Sequence, residues 1–240
     1  MMSMEITPLG DSALVVRVRN QFEDAPEQTS NEVLRALRQI EDARIPGVIE
    51  LAPAYTTVAV FFDPLRVMND AARVDHVIEW LTQKIHEALL RGGRRKQRHA
   101  SARLVEIPVC YEAEFALDLE QVSQQTQIDP TKVIDLHCGA QYRVSCIGFT
   151  PGFPFLSGLH KGLATRRRSI PRKEIPVGSV AITGAQTGIY PMKSPGGWNI
   201  IGRTPLPLFD SRKDPPALLR PGDRVHFRAI AREEFERLKR

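Results

Sequence analysis

Gly148-Phe149-Thr150-Pro151-Gly152-Phe153-Pro154-Phe155-Leu156, Ile175-Pro176-Val177-Gly178-Ser179-Val180-Ala181-Ile182, Gln186-Thr187-Gly188-Ile189-Tyr190-Pro191 and Ser194-Pro195-Gly196-Gly197-Trp198 lead to Ile201-Gly202-Arg203-Thr204. Glycine opens backbone conformations with positive φ and lets a ligand approach the main chain, whereas proline fixes φ and removes a donor. A mixture this dense excludes a long helix. The stretch therefore reads as loops hung on short strands, and loops held by a rigid scaffold are where binding and catalysis concentrate.

Working outward, Leu104–Cys110, Tyr142–Ile147, Ser179–Thr183, Trp198–Ile201 and Val225–Ile230 are short apolar runs bounded by turn signals such as Pro221-Gly222-Asp223. They predict an antiparallel barrel with helical excursions. Asp118 is expected to cap a helix from Leu119 to about Gln125, and Asp129 before Pro130 a second from Thr131 to about Leu136. From Arg232 on, a short charged helix has Phe235 and Leu238 as its anchors.

The first part of the chain has another pattern. Leu14–Val18, Val48–Leu51 and Thr56–Phe62 read as strands, the last closed by Asp63-Pro64. Thr29-Ser30-Asn31-Glu32 has capping-box spacing ahead of Val33, Leu34, Leu37 and Ile40, and Pro46-Gly47 ends that helix. Val74, Val77, Ile78, Leu81, Ile85 and Leu89 place a second helix from about Asp70 to Leu90. The order β-α-β-β-α is most of a split βαβ sandwich of the ferredoxin-like type. Residues 91–103 hold six Lys/Arg and no acid, so the chain is read as an α/β domain over 1–92, a basic linker over 93–103 and a barrel domain over 104–240 that carries the site loops.

Composition narrows the function classes. With 42% hydrophobic and 25% charged residues the chain is an ordinary globular protein, and it has neither an apolar run long enough to span a bilayer nor a signal-type N-terminus, which predicts a cytoplasmic address and no membrane partner. Cys110, Cys138 and Cys146 lack metal or disulfide spacing and read as reduced core or near-core thiols; no metal site is expected. Charge is uneven: residues 1–90 carry 8 Lys/Arg against 14 Asp/Glu, net −6, and residues 91–240 carry 25 against 14, net +11. A basic half recruits phosphate groups or an acidic partner, and without an aromatic-interleaved basic stripe nucleic acid is not expected.

The common catalytic signatures, a phosphate loop, a dinucleotide fingerprint, H-E-x-x-H and a nucleophile elbow, are missing. What the stretch offers is a wall of backbone amides with hydrogen-bonding side chains and fixed charges, which suits acyl, carboxyl or phosphoryl transfer on a small amide-like substrate. Arg172 and Arg203 are candidate catalytic cations, and His137, at a predicted helix end, is a candidate proton carrier. Candidate substrate or nucleotide contacts are Phe149, Pro151, Gly152 and Phe153 in the first loop and Gly178 and Ser179 in the second. Gln186, Thr187 and Tyr190 follow in the third, and Ser194, Gly196 and Gly197 in the fourth.

These residues, with Pro171, Leu208-Phe209-Asp210 and Arg220-Pro221-Gly222-Asp223, occur in an order that resembles the bacterial 5-oxoprolinase B-subunit family. That family is also described as KipI-like or allophanate hydrolase subunit 1-like, and is similar to half of the carboxyltransferase part of urea carboxylase. The resemblance extends more weakly through Glu106-Ile107-Pro108-Val109 and Asp11-Ser12-Ala13 and so covers nearly the whole chain. It implies an N-terminal ferredoxin-like α/β sandwich and a C-terminal cyclophilin-like β-barrel. It also implies ATP as co-substrate, with Mg2+ that no motif of this chain holds, and two partners, a homologous C subunit with a separate A subunit. In that scheme the B and C subunits activate 5-oxo-L-proline by phosphorylation, and hydrolysis to L-glutamate is completed by the A subunit. Other members of the group imply the alternatives: an allophanate or urea-derived amide hydrolase or carboxyltransferase subunit, or a histidine-kinase inhibitor. Tyr111-Glu112-Ala113-Glu114-Phe115-Ala116-Leu117 departs from the family pattern, where a glycine pair and a Gly-Pro are usual, so that loop is expected to differ in shape.

Overall fold

A computed structural model of the chain describes residues 4–22, 26–71, 76–91 and 102–239. It divides into two compact units, Met1–Ser101 and Ala102–Arg240. All but the last two residues of the expected 93–103 linker lie outside the described residues.

The first unit is a four-stranded antiparallel sheet in the order β1-β2-β4-β3, from β1 (Glu5–Pro8), β2 (Ala13–Arg17), β3 (Val48–Ala54) and β4 (Thr57–Phe62). Helices α1 (Pro26–Ala43), α2 (Pro64–Ala71) and α3 (Val77–Arg91) accompany it, with α1 and α3 packed together. Alternation along β2 and β4 turns Leu14, Val16, Val58, Val60 and Phe62 into one core with Val33, Ala36 and Ile40 of α1 and Leu81 and Ile85 of α3. The α1 crossover joins β2 to β3, and β4 lies between them, which is the split βαβ plan. The edge beside β2 is taken by β1, a strand without a signal in the sequence.

Three expectations here need correction. The helix expected from about Asp70 to Leu90 is α3, which begins at Val77; Asp70 belongs to α2, and Val74 lies outside the described residues. Thr29-Ser30-Asn31-Glu32 does not start α1: Pro26 opens the helix, Thr29 and Ser30 are buried on its inner face, and Glu32 makes a two-pronged pair with Arg19 at 2.6 and 3.0 Å. Asp63-Pro64 does not merely close β4. The Asp63 carboxylate accepts the backbone N–H groups of Leu65 (3.0 Å) and Arg66 (3.3 Å), and so caps α2 in the same way that Asp129 caps its helix.

The second unit is a closed seven-stranded barrel. Its strands are β5 (Leu104–Cys110), β6 (Tyr142–Ile147), β7 (Pro154–Ser157), β9 (Ser179–Thr183), β10 (Gln186–Ile189), β12 (Asn199–Arg203) and β13 (Arg224–Ile230), joined in the order β10-β7-β6-β13-β5-β12-β9. Every neighbouring pair is antiparallel except the seam between β5 and β13, the first and last strands of the unit, which run parallel over their full length. A separate ribbon pairs β8 (Arg172–Ile175) with β11 (Ser194–Gly196). Helices α4 (Leu119–Thr126) and α5 (Pro130–Gly139) precede β6, and α6 (Arg232–Leu238) follows β13. The inward residues of alternating strands, among them Ile107, Val144, Leu156, Ile182, Ile201 and Phe227, join Val122 of α4 and Val133 of α5 in one core.

Asp129 caps α5 as expected, accepting the Thr131 N–H at 2.8 Å. Helix α6 is anchored by Phe235 alone, since Leu238 is exposed. The Tyr111–Phe115 turn is what holds it: the Glu112 carboxylate accepts the Arg232 N–H (2.9 Å), Glu114 pairs with the Arg232 guanidinium (3.1 Å), and Phe115 packs on Phe235 with ring centroids 4.5 Å apart. The turn thus docks the last helix on the barrel.

Candidate functional site

Every residue of β9 is buried, because the strand is covered on both sides. Val180 and Ile182 face the barrel core, while Ala181 faces a second cluster of Phe153, Ile175, Tyr190, Trp198 and Ile200. Ala181 pairs with Gly188 across the β9–β10 ladder, and those two small residues make the floor on which the rings lie. A Cβ at Gly188 would stand 2.8 Å from Phe153 and 3.0 Å from Trp198. Phe153 meets Tyr190 and Trp198 edge to face at 5.1 and 5.7 Å. The sequence pattern offers these glycines as an amide wall for a ligand. Instead Gly188 makes room for aromatic rings, and the Gly178 peptide groups are used in the chain: Gly178 N–H donates to Tyr190 O (2.7 Å) and Gly178 O accepts the Thr204 N–H (2.9 Å), while Tyr190 N–H donates to Ser179 O (2.9 Å). The Ser179 hydroxyl donates to Pro176 O at 2.8 Å.

The first loop rises beside this cluster. The Thr150 N–H closes a three-residue turn on Gly148 O (2.8 Å), with Phe149 at its tip at φ +67°. The Phe153 N–H bonds Thr150 O (3.0 Å), and the Gly148 N–H bonds Phe153 O (3.1 Å). Phe149 is 64% exposed, yet it meets Phe153 and Tyr190 edge to face at 5.5 and 6.5 Å. Pro151 is exposed at the turn's edge, and Gly152 is buried beneath it against Phe209.

Arg172 and Asp118 form a clasp. Asp118, 2% exposed, accepts Arg172 Nη1 and Nη2 at 2.8 Å each, Arg168 Nη1 at 2.6 Å and the Ile200 N–H at 2.8 Å, and its own N–H donates to Ile200 O at 2.8 Å. It stands at the N-terminus of α4 as the sequence predicts, but its carboxylate makes no capping bond there. It ties α4, β12, the Arg168 loop and the β8–β11 ribbon together. Gly197 O accepts the Arg168 N–H (2.8 Å) and completes that junction. Asp118 is the residue that sequence reasoning undervalues, because an acid before a helix reads as a cap.

His137 is fully buried and stacks on Phe227 at 4.5 Å. Its Nε2 meets the Thr187 hydroxyl (3.2 Å), which donates to Ala181 O (3.1 Å), so Nε2 carries the proton. Nδ1 then accepts from the Tyr111 hydroxyl (2.8 Å), whose oxygen accepts the Cys138 thiol (3.4 Å). The whole chain of donors is satisfied by a neutral imidazole, and burial pushes the histidine down to about 3. These are the surroundings of a packed core histidine, not of a proton carrier open to substrate. Unfolding lets His137 titrate near 6.5, so the stability from keeping it neutral is present in full above that value and is lost as pH falls from there toward about 3. Denaturant unfolding between about pH 7.5 and about pH 5.5 should show the wild type losing up to about 1.4 kcal/mol per pH unit more than His137→Gln does.

The remaining candidates are spread out. Thr187 faces His137 within the barrel, Tyr190 is buried in the aromatic cluster, and Gln186 is half-buried at the start of β10. Burial raises the Tyr190 phenol, opposed by the Trp198 N–H on its oxygen and the nearby Arg167 charge. Ser194 and Gly196 lie on β11, with Ser194 Oγ buried and without a partner among the described residues. Arg203 Nε donates to Val177 O at 2.7 Å, with neither Nη committed among the described residues. Phe149, Phe153 and Tyr190 therefore come together, Arg203 is tied to the Val177 turn, and His137 and Thr187 are sealed in the core. Among the described residues no group of three or more His, Cys, Asp or Glu could hold a metal, and no helix is long and apolar enough to cross a membrane.

A barrel of this topology carrying these loops defines a class. Residues 4–219 match the family described as carboxyltransferase domain, subdomain C and D. The chain is 42% identical to the 5-oxoprolinase B subunit of Bacillus subtilis over 98% of its own length and 96% of that protein's. It is 36% identical to the 5-oxoprolinase B subunit of Escherichia coli O157:H7, covering 91% and 93%. The crystal structure of TTHA0988 superposes with a TM-score of 0.74 at 32% identity over 91% of this chain and only 40% of the other, so most of that longer chain lies outside the match. This chain belongs to the 5-oxoprolinase B-subunit family.

Proposed function

We propose that this chain is the B subunit of an ATP-dependent 5-oxoprolinase, which works with a homologous C subunit to activate 5-oxo-L-proline and with an A subunit to finish hydrolysis to L-glutamate. The observation that carries this reading is the near-full-length likeness to proteins named as the B subunit of 5-oxoprolinase. The structure supports a shared site: among the described residues no nucleophile, base and orienting group stand together at an open surface. His137 is sealed, Arg168 and Arg172 are spent on Asp118, and Ser194 has no base beside it. Activation transfers the γ-phosphoryl of ATP to the lactam oxygen and releases ADP; water adds to the O-phosphorylated carbon, the C–N bond breaks to give the free amine and an acyl phosphate, and a second water releases phosphate and L-glutamate. The contribution of this chain is cationic. From Lys161 to Arg203 stand eight Lys/Arg and one acid, Glu174, so the free Nη groups of Arg203 and exposed Arg166, Arg167 and Lys173 are the cations this chain would offer to phosphoryl charge. Mg2+ arrives with the nucleotide.

The test is reconstitution. This chain mixed with its cognate C and A subunits should release ADP and glutamate only when 5-oxo-L-proline is present, and each protein alone should release none. Lactam-independent ADP release, or no turnover from three folded proteins, would overturn the assignment.

A further inference from the structure

We propose that the cavity formed by the loop between β12 and β13, with Arg103 at its edge, binds a small monocarboxylate whose apolar body is the size of a single ring. No residue of the cavity belongs to the glycine-rich stretch, so this site is independent of the reading of the chain as a 5-oxoprolinase subunit. The cavity measures about 160 Å3. An apolar protein cavity of about 150 Å3 suffices for benzene, so a ring of that size fits here. Pro207, Pro215, Pro216, Ala217 and Leu218 make the wall. Proline carries no N–H, so the side built from Pro207, Pro215 and Pro216 offers carbon and no backbone donor.

The loop is shaped before a ligand arrives. Phe209 and Ala217 pair as an antiparallel bridge, the Asp210 N–H donates to Pro216 O (2.8 Å), the Leu218 N–H to Leu208 O (2.9 Å) and the Lys213 N–H to Asp210 O (3.1 Å). Leu208 and Leu219 root both ends of the loop in the barrel core. A concave site that is already formed loses little order on binding.

Charge decides the head of the ligand. Arg103, Asp210 and Lys213 are the ionisable residues of the lining. The Asp210 carboxylate is spent on Arg212: Oδ1 accepts the Arg212 N–H (3.1 Å) and Nε (2.9 Å), and Oδ2 accepts Nη2 (3.1 Å). Those hydrogen bonds hold the Asp210 carboxyl down at about 2, so it stays a paired anion. Arg103 commits Nε and Nη2 to Asp223, and Nη2 also to Leu218 O, which leaves Nη1 without a partner among the described residues. Lys213 is exposed, and its ammonium makes no hydrogen bond or ion pair among the described residues. Two open cationic donors beside a carbon wall call for an anionic head on an apolar body. With Arg103 balanced by Asp223 and Asp210 by Arg212, Lys213 leaves one positive charge in the lining, and Asp214 is not part of it. A singly charged carboxylate matches that balance, and a doubly charged phosphate does not.

The experiment titrates the isotopically labelled full-length chain with cyclopentanecarboxylate at about pH 7 and low salt, and follows backbone amide signals by NMR. Saturable shifts at Lys213, Ala217 and Leu218 are expected, with a Kd of about 1 mM for a ligand of so few atoms. Cyclopentanol has the ring without the charge and acetate the charge without the ring; each should bind at least about tenfold more weakly. Lys213→Gln, at an exposed loop position, should also weaken cyclopentanecarboxylate about tenfold, whereas Lys132→Gln, which removes an exposed charge on α5, should not. Ala217→Leu enlarges a lining residue and should abolish the binding. The proposal would be overturned by the lack of a saturable shift up to about 50 mM, by equal affinity for cyclopentanol or acetate, or by full affinity in Lys213→Gln or Ala217→Leu. None of these results bears on the subunit reading.

Discussion

Asp118→Ala is expected to lower the melting temperature of the barrel unit by about 10 °C. The carboxylate satisfies two guanidinium groups and the Ile200 N–H from a position 2% exposed, so its loss leaves Arg168 and Arg172 facing each other with no anion between them. Breaking a buried ion pair by removing one partner costs about 3–5 kcal/mol; each arginine is about a quarter exposed and recovers some hydration, which places the cost near the low end, about 3 kcal/mol. For a unit of this size each kcal/mol moves the midpoint by roughly 3 °C. Asp118→Asn keeps an acceptor for Ile200 and should cost about half as much. Arg168→Gln and Arg172→Gln each leave one arginine in place and should cost about 1 kcal/mol, and the double variant should be non-additive. Thermal unfolding followed by circular dichroism checks the series. A shift below about 3 °C for Asp118→Ala would mean that the clasp is solvated and does not hold the ribbon.

The same residue shows where sequence reading stops. An aspartate before Leu119 has the local signature of a cap, and α4 does begin there, so the helix is legible while the role of its first acid is not. The partners that decide that role lie 50, 54 and 82 residues away. Strands with period-two alternation, such as β13 with Val225 and Phe227 inward, declare themselves, as do β5, β6 and β9. Strands β7, β8, β10 and β11 do not, because each is three or four residues of Gly-, Pro- or charge-rich chain whose pairing comes from neighbours already in place. Asp63-Pro64 carries the same signal as Asp129-Pro130, and its meaning is masked by the strand ending just before it.

The glycine-rich stretch is legible as loops on short strands and misleading in its chemistry. Gly188 and Ala181 are small because Phe153 and Trp198 press on them, a reason that only the folded ladder exposes. Phe149, Phe153 and Tyr190 stand out in the sequence and do converge, since aromatic residues in adjacent loops gather wherever a sheet offers a small-residue floor. His137 stands out for its chemistry and is held for its packing, in line with the ordinary fate of a histidine on an inward helix face. Residues of this kind are told apart by burial and by the direction of their hydrogen bonds, neither of which is written locally.

Gly178→Ala is expected to destabilise the barrel unit by more than about 3 kcal/mol, and to disturb the Tyr190 support under Phe149 as it does so. Gly178 sits at φ +82°, which costs an L-residue about 1–2 kcal/mol before any contact is made. Its Cβ would also be driven into the carbonyl oxygen of Thr204, a backbone atom held by strand pairing and by the Thr204 N–H donating to Gly178 O. Relief requires β12 and the Val177 turn to part, which breaks the Gly178 N–H bond to Tyr190 O and the Arg203 bond to Val177 O together. Gly184, at φ +51° with nothing within 4 Å of an added Cβ, isolates the backbone cost: Gly184→Ala should lose only about 1 kcal/mol. Urea unfolding of the two variants separates the contributions. Equal losses would show that the backbone conformation alone governs Gly178; a Gly178→Ala loss at least twice as large is the expected result.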